Sequence, residues 1–175
     1  MNGISVETVL GALVGLAMAG VLAAVLFRAK VLDMTFDERQ ERARGVAFRY
    51  GFYTLAVCVM AYGFADMNWH WCDTMMGCGL SVCVGATVMA VTAICRDAYL
   101  SIYERPRQVM TVFAAAALIN LALGLYALTS GDAVVDGVVT FRLLNLPVGV
   151  MILVVLAAYG LRCLGSRDGE EDEAV

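Results

Sequence analysis

Long runs without charge dominate the pattern of hydrophobic and polar positions along this chain. Five stretches contain no Asp, Glu, Lys or Arg, and they cover residues 8–27, 50–65, 74–95, 108–131 and 143–161. A helix needs roughly 20 predominantly apolar residues to cross the core of a bilayer. The second stretch is short, but it lengthens through Val46, Ala47 and Phe48 if Arg49 extends its side chain toward the lipid headgroups. The pattern therefore predicts five membrane spans, at about residues 6–27, 46–66, 74–95, 108–130 and 139–162.

These spans predict an all-α fold, a polytopic bundle of transmembrane helices. Lipid cannot hydrogen-bond exposed backbone groups, and the runs are too long for the strands of a membrane barrel. The N-terminal run has no basic segment before it and is longer than the apolar core of a signal peptide, so we predict an uncleaved first span. Residues 1–165 then form a single transmembrane domain, and residues 166–175 form an acidic, solvated tail.

Composition supports a protein in contact with the lipid bilayer. Hydrophobic residues make up 61% of the 175 positions and charged residues only 16%, whereas soluble domains carry about 25% charged residues. The chain has 12 Lys and Arg against 16 Asp and Glu, which does not favour nucleic acid as a partner. We expect a multi-pass protein of the cell membrane.

The basic residues predict how the bundle is oriented. All but one of the 12 lie between the first and second spans, between the third and fourth spans, or after the fifth. The exception is Arg142. Because basic loops face the cytoplasm, the N-terminus is predicted to be outside and the C-terminus inside.

Dense charge of both signs is confined to two segments on the predicted cytoplasmic side. In the first segment, Thr35 and Glu38 have the spacing of a capping box, and Glu38 and Arg42 have the spacing of an i,i+4 ion pair. In the second, Pro106 suits the first turn of the fourth span. The two segments either pair with each other or present a binding site. The candidate partner-binding residues are Asp37, Glu38, Arg39, Gln40, Arg96, Asp97 and Arg105.

Short motifs in these segments resemble a pattern in uncharacterised small bacterial integral membrane proteins. The motifs are Asp37-Glu-Arg-Gln40, Ala43-Arg-Gly45, Phe48-Arg-Tyr-Gly-Phe52 and Arg96-Asp-Ala-Tyr99, with Asn120 in the span that follows. The resemblance covers roughly residues 35–122. Such proteins often accompany small helix-turn-helix regulators, so the resemblance implies a regulatory or sensing role with a cytoplasmic regulatory protein as partner. It implies no enzymatic activity.

Polar residues inside the predicted spans form a second set of candidates. Asn120 lies near the middle of the fourth span, and Asn145 follows Arg142 by three positions, so that both share a helix face. Intramembrane polar groups are functional candidates by default, but they also bond neighbouring helices. With these three residues as its polar sites, a small-solute permease or transporter subunit is the alternative function.

Small residues at four-residue spacing predict close contacts between helices. The first span contains Gly11, Gly15 and Ala19, and the third contains Gly77, Ser81 and Gly85. We expect these stripes to pack within one bundle. A homo-oligomer formed through Gly11 and Gly15 is the alternative.

The predicted outer loops carry little chemistry. Trp69 and Trp71 are typical interface anchors, and the last outer loop, residues 130–137, is expected to be a plain connection. Cys72 and Cys78 can form a disulfide, since only they are predicted to reach an oxidising compartment. Their spacing is not C-x-x-C, which makes a membrane thiol-redox protein the weakest alternative.

No metal site, cofactor or enzymatic activity is predicted. The single histidine, His70, has no paired ligand at zinc-site spacing. Nucleophile-elbow, zinc-protease and phosphate-loop motifs are missing from the sequence. We therefore predict a non-enzymatic membrane protein that regulates or binds a partner through its cytoplasmic face.

Overall fold

Four long helices form the part of the chain that the computed structural model describes, residues 35–101 and 105–172. They are α1 (Glu38–Asn68), α2 (Thr74–Cys95), α3 (Pro106–Thr129) and α4 (Asn145–Asp172). A 3-10 turn, Phe141–Leu144, leads into α4. Each helix, the fourth taken together with this turn, is long and apolar enough to cross a membrane. The predicted first span, with Gly11 and Gly15, lies outside the described residues.

The start of α1 differs from the capping box that the sequence predicts. Asp37, not Thr35, is the N-cap, and its carboxylate accepts a hydrogen bond from the backbone N–H of Gln40 at 2.6 Å. The Gln40 side chain in turn accepts from the backbone N–H of Asp37 at 3.3 Å. This Asp-x-x-Gln box satisfies two backbone donors and begins the helix at Glu38, well before the apolar run of the predicted span.

The last helix extends past the predicted fifth span. That span is predicted to end near residue 162, whereas α4 continues through Asp172, into the predicted acidic tail. After Pro147 the chain contains no proline, so no residue there lacks the backbone donor that a helix requires. The acidic segment is therefore, as far as it is described, an extension of the last helix.

The described chain is mostly helical, as predicted, and a short β-hairpin interrupts it between α3 and α4. Val134–Val135 pairs antiparallel with Val138–Val139. The two turn residues between them, Asp136 and Gly137, have φ angles of 51° and 79°. Positive φ at both central residues is the type I′ geometry that Asp-Gly favours in two-residue hairpins. The segment is thus a defined hairpin and not a plain connection.

The helices pack in the order α1, α2, α4, α3, with each next to its neighbour in that order. The residues at the two ends of the bundle are chemically different. We call residues 35–45, 96–101, 105–107 and 162 the basic end, and residues 66–73 and 130–144 the tryptophan end. A small apolar core of Ala90, Ile94 and Val155, flanked by Tyr99, Phe113 and Tyr159, joins α2, α3 and α4 beneath the basic end.

Glycines set the closest approaches between helices. A Cβ atom on Gly51 of α1 would lie 2.7 Å from the Cβ of Met89 and 3.0 Å from the carbonyl oxygen of Gly85, both in α2. The predicted stripe of Gly77, Ser81 and Gly85 is buried, which confirms it as a packing surface. Small residues let two backbones approach closely, and that contact stabilises helices in lipid.

Candidate functional site

An open cleft at the basic end brings together the charged segments that the sequence singled out. Its volume is about 630 Å³. Its charged walls come from α1, from the turn after α2 and from α4, and they consist of Glu38, Arg39, Arg42, Arg96, Asp97 and Arg162. Ala43, Val46 and Cys95 form an uncharged floor. We call this cavity the basic-end cleft.

The first wall is the exposed first turns of α1, which the Asp37 cap places at the rim. Arg42 donates to the Glu38 carboxylate at 2.6 Å, which confirms the predicted i,i+4 pair. Both side chains are about four-fifths exposed, at 79% and 80%. A pair this exposed adds little to stability, on the order of 0.3–0.5 kcal/mol, but it neutralises the charge of Glu38 and Arg42.

The second wall is the turn that ends α2. The backbone N–H of Ala98 donates to the carbonyl of Ala93, and that of Asp97 donates to Ile94. These two bonds define a Schellman motif, in which the residue after the helix cap adopts a left-handed conformation. Here that residue is Asp97, with φ of 55°, where glycine is usual. The turn places the Asp97 carboxylate beside α4.

The third wall is Arg162 of α4, which donates two hydrogen bonds to the Asp97 carboxylate. Its Nη2 lies 2.7 Å from Oδ2 and its Nε lies 3.0 Å from Oδ1. A guanidinium that donates two parallel bonds fixes the direction of the carboxylate as well as its distance. The hydrogen bond from Arg162 and, to a lesser extent, the nearby charge of Arg39 hold the pKa of Asp97 below its ordinary value.

The α2 turn is also fastened to α1 from the other side. The Gln40 amide donates to the backbone carbonyl of Asp97 at 3.2 Å and to that of Leu100 at 3.5 Å. Arg44 donates to the carbonyl of Ala98 at 3.4 Å and stacks on the ring of Phe36. Gln40 thus positions the turn and does not line the basic-end cleft.

The charges around the cleft do not cancel. Its walls hold four arginines and two carboxylates. Glu38 pairs with Arg42, and Asp97 pairs with Arg162. Among the ion pairs between described residues, none uses Arg39 or Arg96. The cleft therefore presents two guanidinium groups whose charge no carboxylate of the described chain neutralises.

The structure thus divides the predicted partner-binding residues into three groups. Glu38, Arg39, Arg96 and Asp97 line the cleft, whereas Asp37 and Gln40 organise its walls from outside. Arg105 is exposed at the N-cap of α3 and is not a lining residue. Sequence reasoning missed Arg162, which it grouped with the basic residues near the tail. The only local sequence feature that could have indicated a role for Arg162 in the cleft was its position at the end of an apolar run.

The predicted intramembrane polar residues do not converge on one place. The Asn120 amide donates to the carbonyl of Ala116 within α3 at 2.8 Å. Arg142 lies in the 3-10 turn that leads into α4 at Asn145, and it pairs with Asp132 at 2.5 Å. Arg142 and Asn145 line a second cavity of about 410 Å³ at the tryptophan end, and Asn120 does not.

The two cysteines at the tryptophan end have opposite environments. Cys72 is fully buried, Cys78 is exposed, and both are free thiols in the structure. Burial, reinforced by the charge of Asp73, raises the pKa of the Cys72 thiol, which keeps the thiol protonated at neutral pH. Within the described residues, no group of three His, Cys, Asp or Glu side chains is placed to hold a metal ion.

No family model, curated protein or solved structure matches the chain. A functional hypothesis for this chain therefore depends on its own structure, and the basic-end cleft with its unneutralised arginines is the candidate site. Its walls come from parts of the sequence as far apart as Arg39 and Arg162.

Proposed function

We propose that this protein is a non-enzymatic, multi-pass protein of the cell membrane that binds a cytoplasmic regulatory protein at the basic-end cleft. Five spans, with the N-terminus outside, place that cleft in the cytoplasm. The observation that carries the proposal is the pair Arg39 and Arg96, which face one cavity without carboxylate partners among the described residues.

The arrangement of charge supports an acidic segment as the part of the partner that is bound. Two unneutralised guanidinium groups attract carboxylates and accelerate their encounter with the cleft. An Arg–carboxylate contact formed there is charge-assisted and is often bidentate. The resemblance of residues 35–122 to small bacterial membrane proteins found beside helix-turn-helix regulators also favours a regulator as the partner.

The proposed site can be tested with substitutions that should weaken binding without disturbing the fold. Asp37 caps α1 and Asp97 holds Arg162, so replacing either one disturbs the fold as well as the site. Arg39 and Arg96 are exposed and make no ion pair with a described residue. Changes at such positions generally alter stability by no more than about 0.5 kcal/mol.

The test is crosslinking in native membranes, followed by purification of the full chain and quantification of the retained cytoplasmic protein. We expect Arg39→Ala and Arg96→Ala each to reduce capture about tenfold, the cost of losing a hydrogen bond between charged groups. Arg107→Ala is the matched control, because Arg107 is an exposed arginine of the basic end that does not line the cleft. Equal capture by all three variants and the native chain would overturn the proposal.

A further inference from the structure

We infer that the basic-end cleft is a ligand site for a phosphoryl group, which Arg39 and Arg96 hold between them. The inference rests on the proposed function in one respect, the cytoplasmic location of the cleft. It goes further in assigning a small anionic ligand that binds without any partner protein.

The charge of the cleft matches a phosphate better than it matches a single carboxylate. Two of the four lining arginines are already neutralised, by Glu38 and Asp97, which leaves two positive charges. A phosphate monoester carries about −1.5 to −2 charges at neutral pH, and its oxygens accept several hydrogen bonds. The planar guanidinium fork fits phosphate oxygens in pairs.

The carboxylates of the cleft do not oppose such a ligand. Asp97 is turned onto Arg162 by two hydrogen bonds, and Glu38 is bonded to Arg42. An anion that enters the cleft therefore meets two neutral ion pairs, Glu38–Arg42 and Asp97–Arg162, and the unpaired guanidinium groups of Arg39 and Arg96. The Schellman turn and the Gln40 contacts already fix the backbone at Arg96 and Asp97, so the turn itself need not be ordered on binding.

The dimensions of the cleft favour a small ligand. A volume of about 630 Å³ lies within the range of roughly 300–1,000 Å³ that is typical of small-molecule sites. Ala43 and Val46 provide an apolar floor for the uncharged part of the ligand. A phospholipid headgroup and a soluble phosphorylated metabolite share the phosphoryl group, and the experiment below separates them.

The test uses the purified full chain in nanodiscs and contains no partner protein. In phosphatidylcholine nanodiscs, pyrophosphate is titrated by calorimetry, with acetate at equal ionic strength as the comparison anion. In parallel, nanodiscs that contain phosphatidic acid are analysed by native mass spectrometry for retained lipid. Saturable binding of pyrophosphate identifies a soluble ligand, and retention of phosphatidic acid alone identifies a lipid headgroup. Either result supports the phosphoryl site.

Variants tie the binding to the cleft. We expect the double variant Arg39→Gln/Arg96→Gln to bind at least about tenfold more weakly, since two charge-assisted contacts are lost. Arg39→Lys keeps the charge without the fork and should retain intermediate affinity. Arg107→Gln is the control and should bind like the native chain. Circular dichroism of each variant checks that the helices are intact.

Three results would overturn the inference: no saturable binding of either phosphate probe, equal binding of acetate, or an equal loss in Arg107→Gln. These results are separable from failure of the proposed function. If phosphate binding fails while Arg39→Ala still reduces capture of the partner, the cleft binds protein and no phosphoryl ligand. If phosphate binds and Arg39→Ala captures as much partner as the native chain, the cleft binds a phosphoryl ligand and not the partner protein.

Discussion

At the scale of single residues, Asp97 combines a backbone role with a side-chain role. Its φ of 55° completes the Schellman turn after α2, a position that glycine occupies at lower cost. Aspartate tolerates this conformation better than most residues. Its carboxylate holds Arg162 with two hydrogen bonds, which glycine cannot do. The ion pair therefore explains why an aspartate suits a position where the backbone favours glycine.

The first prediction tests this ion pair through its pH dependence. Asp97→Asn tolerates the left-handed backbone but loses the charge, and we expect a loss of no more than about 1 kcal/mol at pH 7 because both partners are half-exposed. The pKa of Asp97 is lower in the folded chain than in the unfolded one. Its stabilisation is therefore present at neutral pH and is lost as the pH falls through the folded pKa.

Thermal unfolding in detergent, followed by circular dichroism at pH 7 and pH 3, measures the effect. The native chain and Asp97→Asn should differ at pH 7 and differ less at pH 3, because the stabilisation begins to be lost below the ordinary Asp pKa of about 3.9 and disappears below the lower folded pKa. Asp97→Gly removes the charge while permitting the turn, so its difference from the native chain should shrink in the same way. A difference of equal size at both pH values would show that the carboxylate charge is not its cause.

At the scale of helices, the contact between α1 and α2 depends on where small residues face. Gly51 and Gly85 meet at the crossing, and each leaves no room for a side chain. Gly63, also in α1, has no described side chain or neighbouring backbone within 4 Å of a Cβ placed there. Two glycines of one helix thus have different roles, one as a close contact and one without a packed neighbour in the described structure.

The second prediction compares these two glycines. Gly51→Ala should destabilise the bundle by roughly 1–3 kcal/mol, the usual cost of overpacking a tight contact. The obstacle includes the backbone oxygen of Gly85, so the helices themselves must separate. Gly63→Ala should leave stability unchanged or slightly higher, because alanine favours helix more than glycine. Unfolding in denaturant, monitored by circular dichroism, measures both, and equal losses would contradict the close-contact role of Gly51.

At the scale of the whole molecule, the two ends of the bundle differ in chemistry. The basic end holds the basic-end cleft, whereas at the tryptophan end the loop before α2 is hydrogen-bonded to the hairpin, from Asp73 to Val139 and from Val139 to Trp71. Asp73 caps α2 with one carboxylate oxygen and accepts from the backbone N–H of Phe141 with the other, at 2.6 Å. This single side chain joins α2 to the 3-10 turn that leads into α4.

The third prediction concerns orientation in the membrane. The loop position of Cys72 suggests that labelling of its thiol would report the outer side. The residue is fully buried, however, so its thiol is not accessible to the label. Val135 is 51% exposed in the hairpin, so Val135→Cys should gain label from an impermeant maleimide in intact cells. Arg105→Cys should gain label only after the membrane is opened, and a reporter fused after Val175 should be cytoplasmic. The opposite pattern of labelling would reverse the orientation.

The sequence alone determined which apolar segments of the described chain are helical. In lipid, a backbone must satisfy its own hydrogen bonds, so a long charge-free run such as residues 74–95 becomes a helix whatever its neighbours are. The same local logic holds for the Glu38–Arg42 pair, and for the Asp136-Gly137 turn, whose hairpin signal was present but was interpreted as a plain connection. These features depend on residues within a few positions of one another.

The tertiary structure alone decided the basic-end cleft. Asp97 and Arg162 are 65 positions apart, and no pattern around either one indicates the other. Their contact requires that α2 and α4 be neighbours and that the Schellman turn direct the carboxylate toward α4. The sequence indicated that Arg39 and Arg96 lie on the same side of the bundle. Which arginines stay unneutralised depends on how every carboxylate in reach is paired, and only the packed helices settle that.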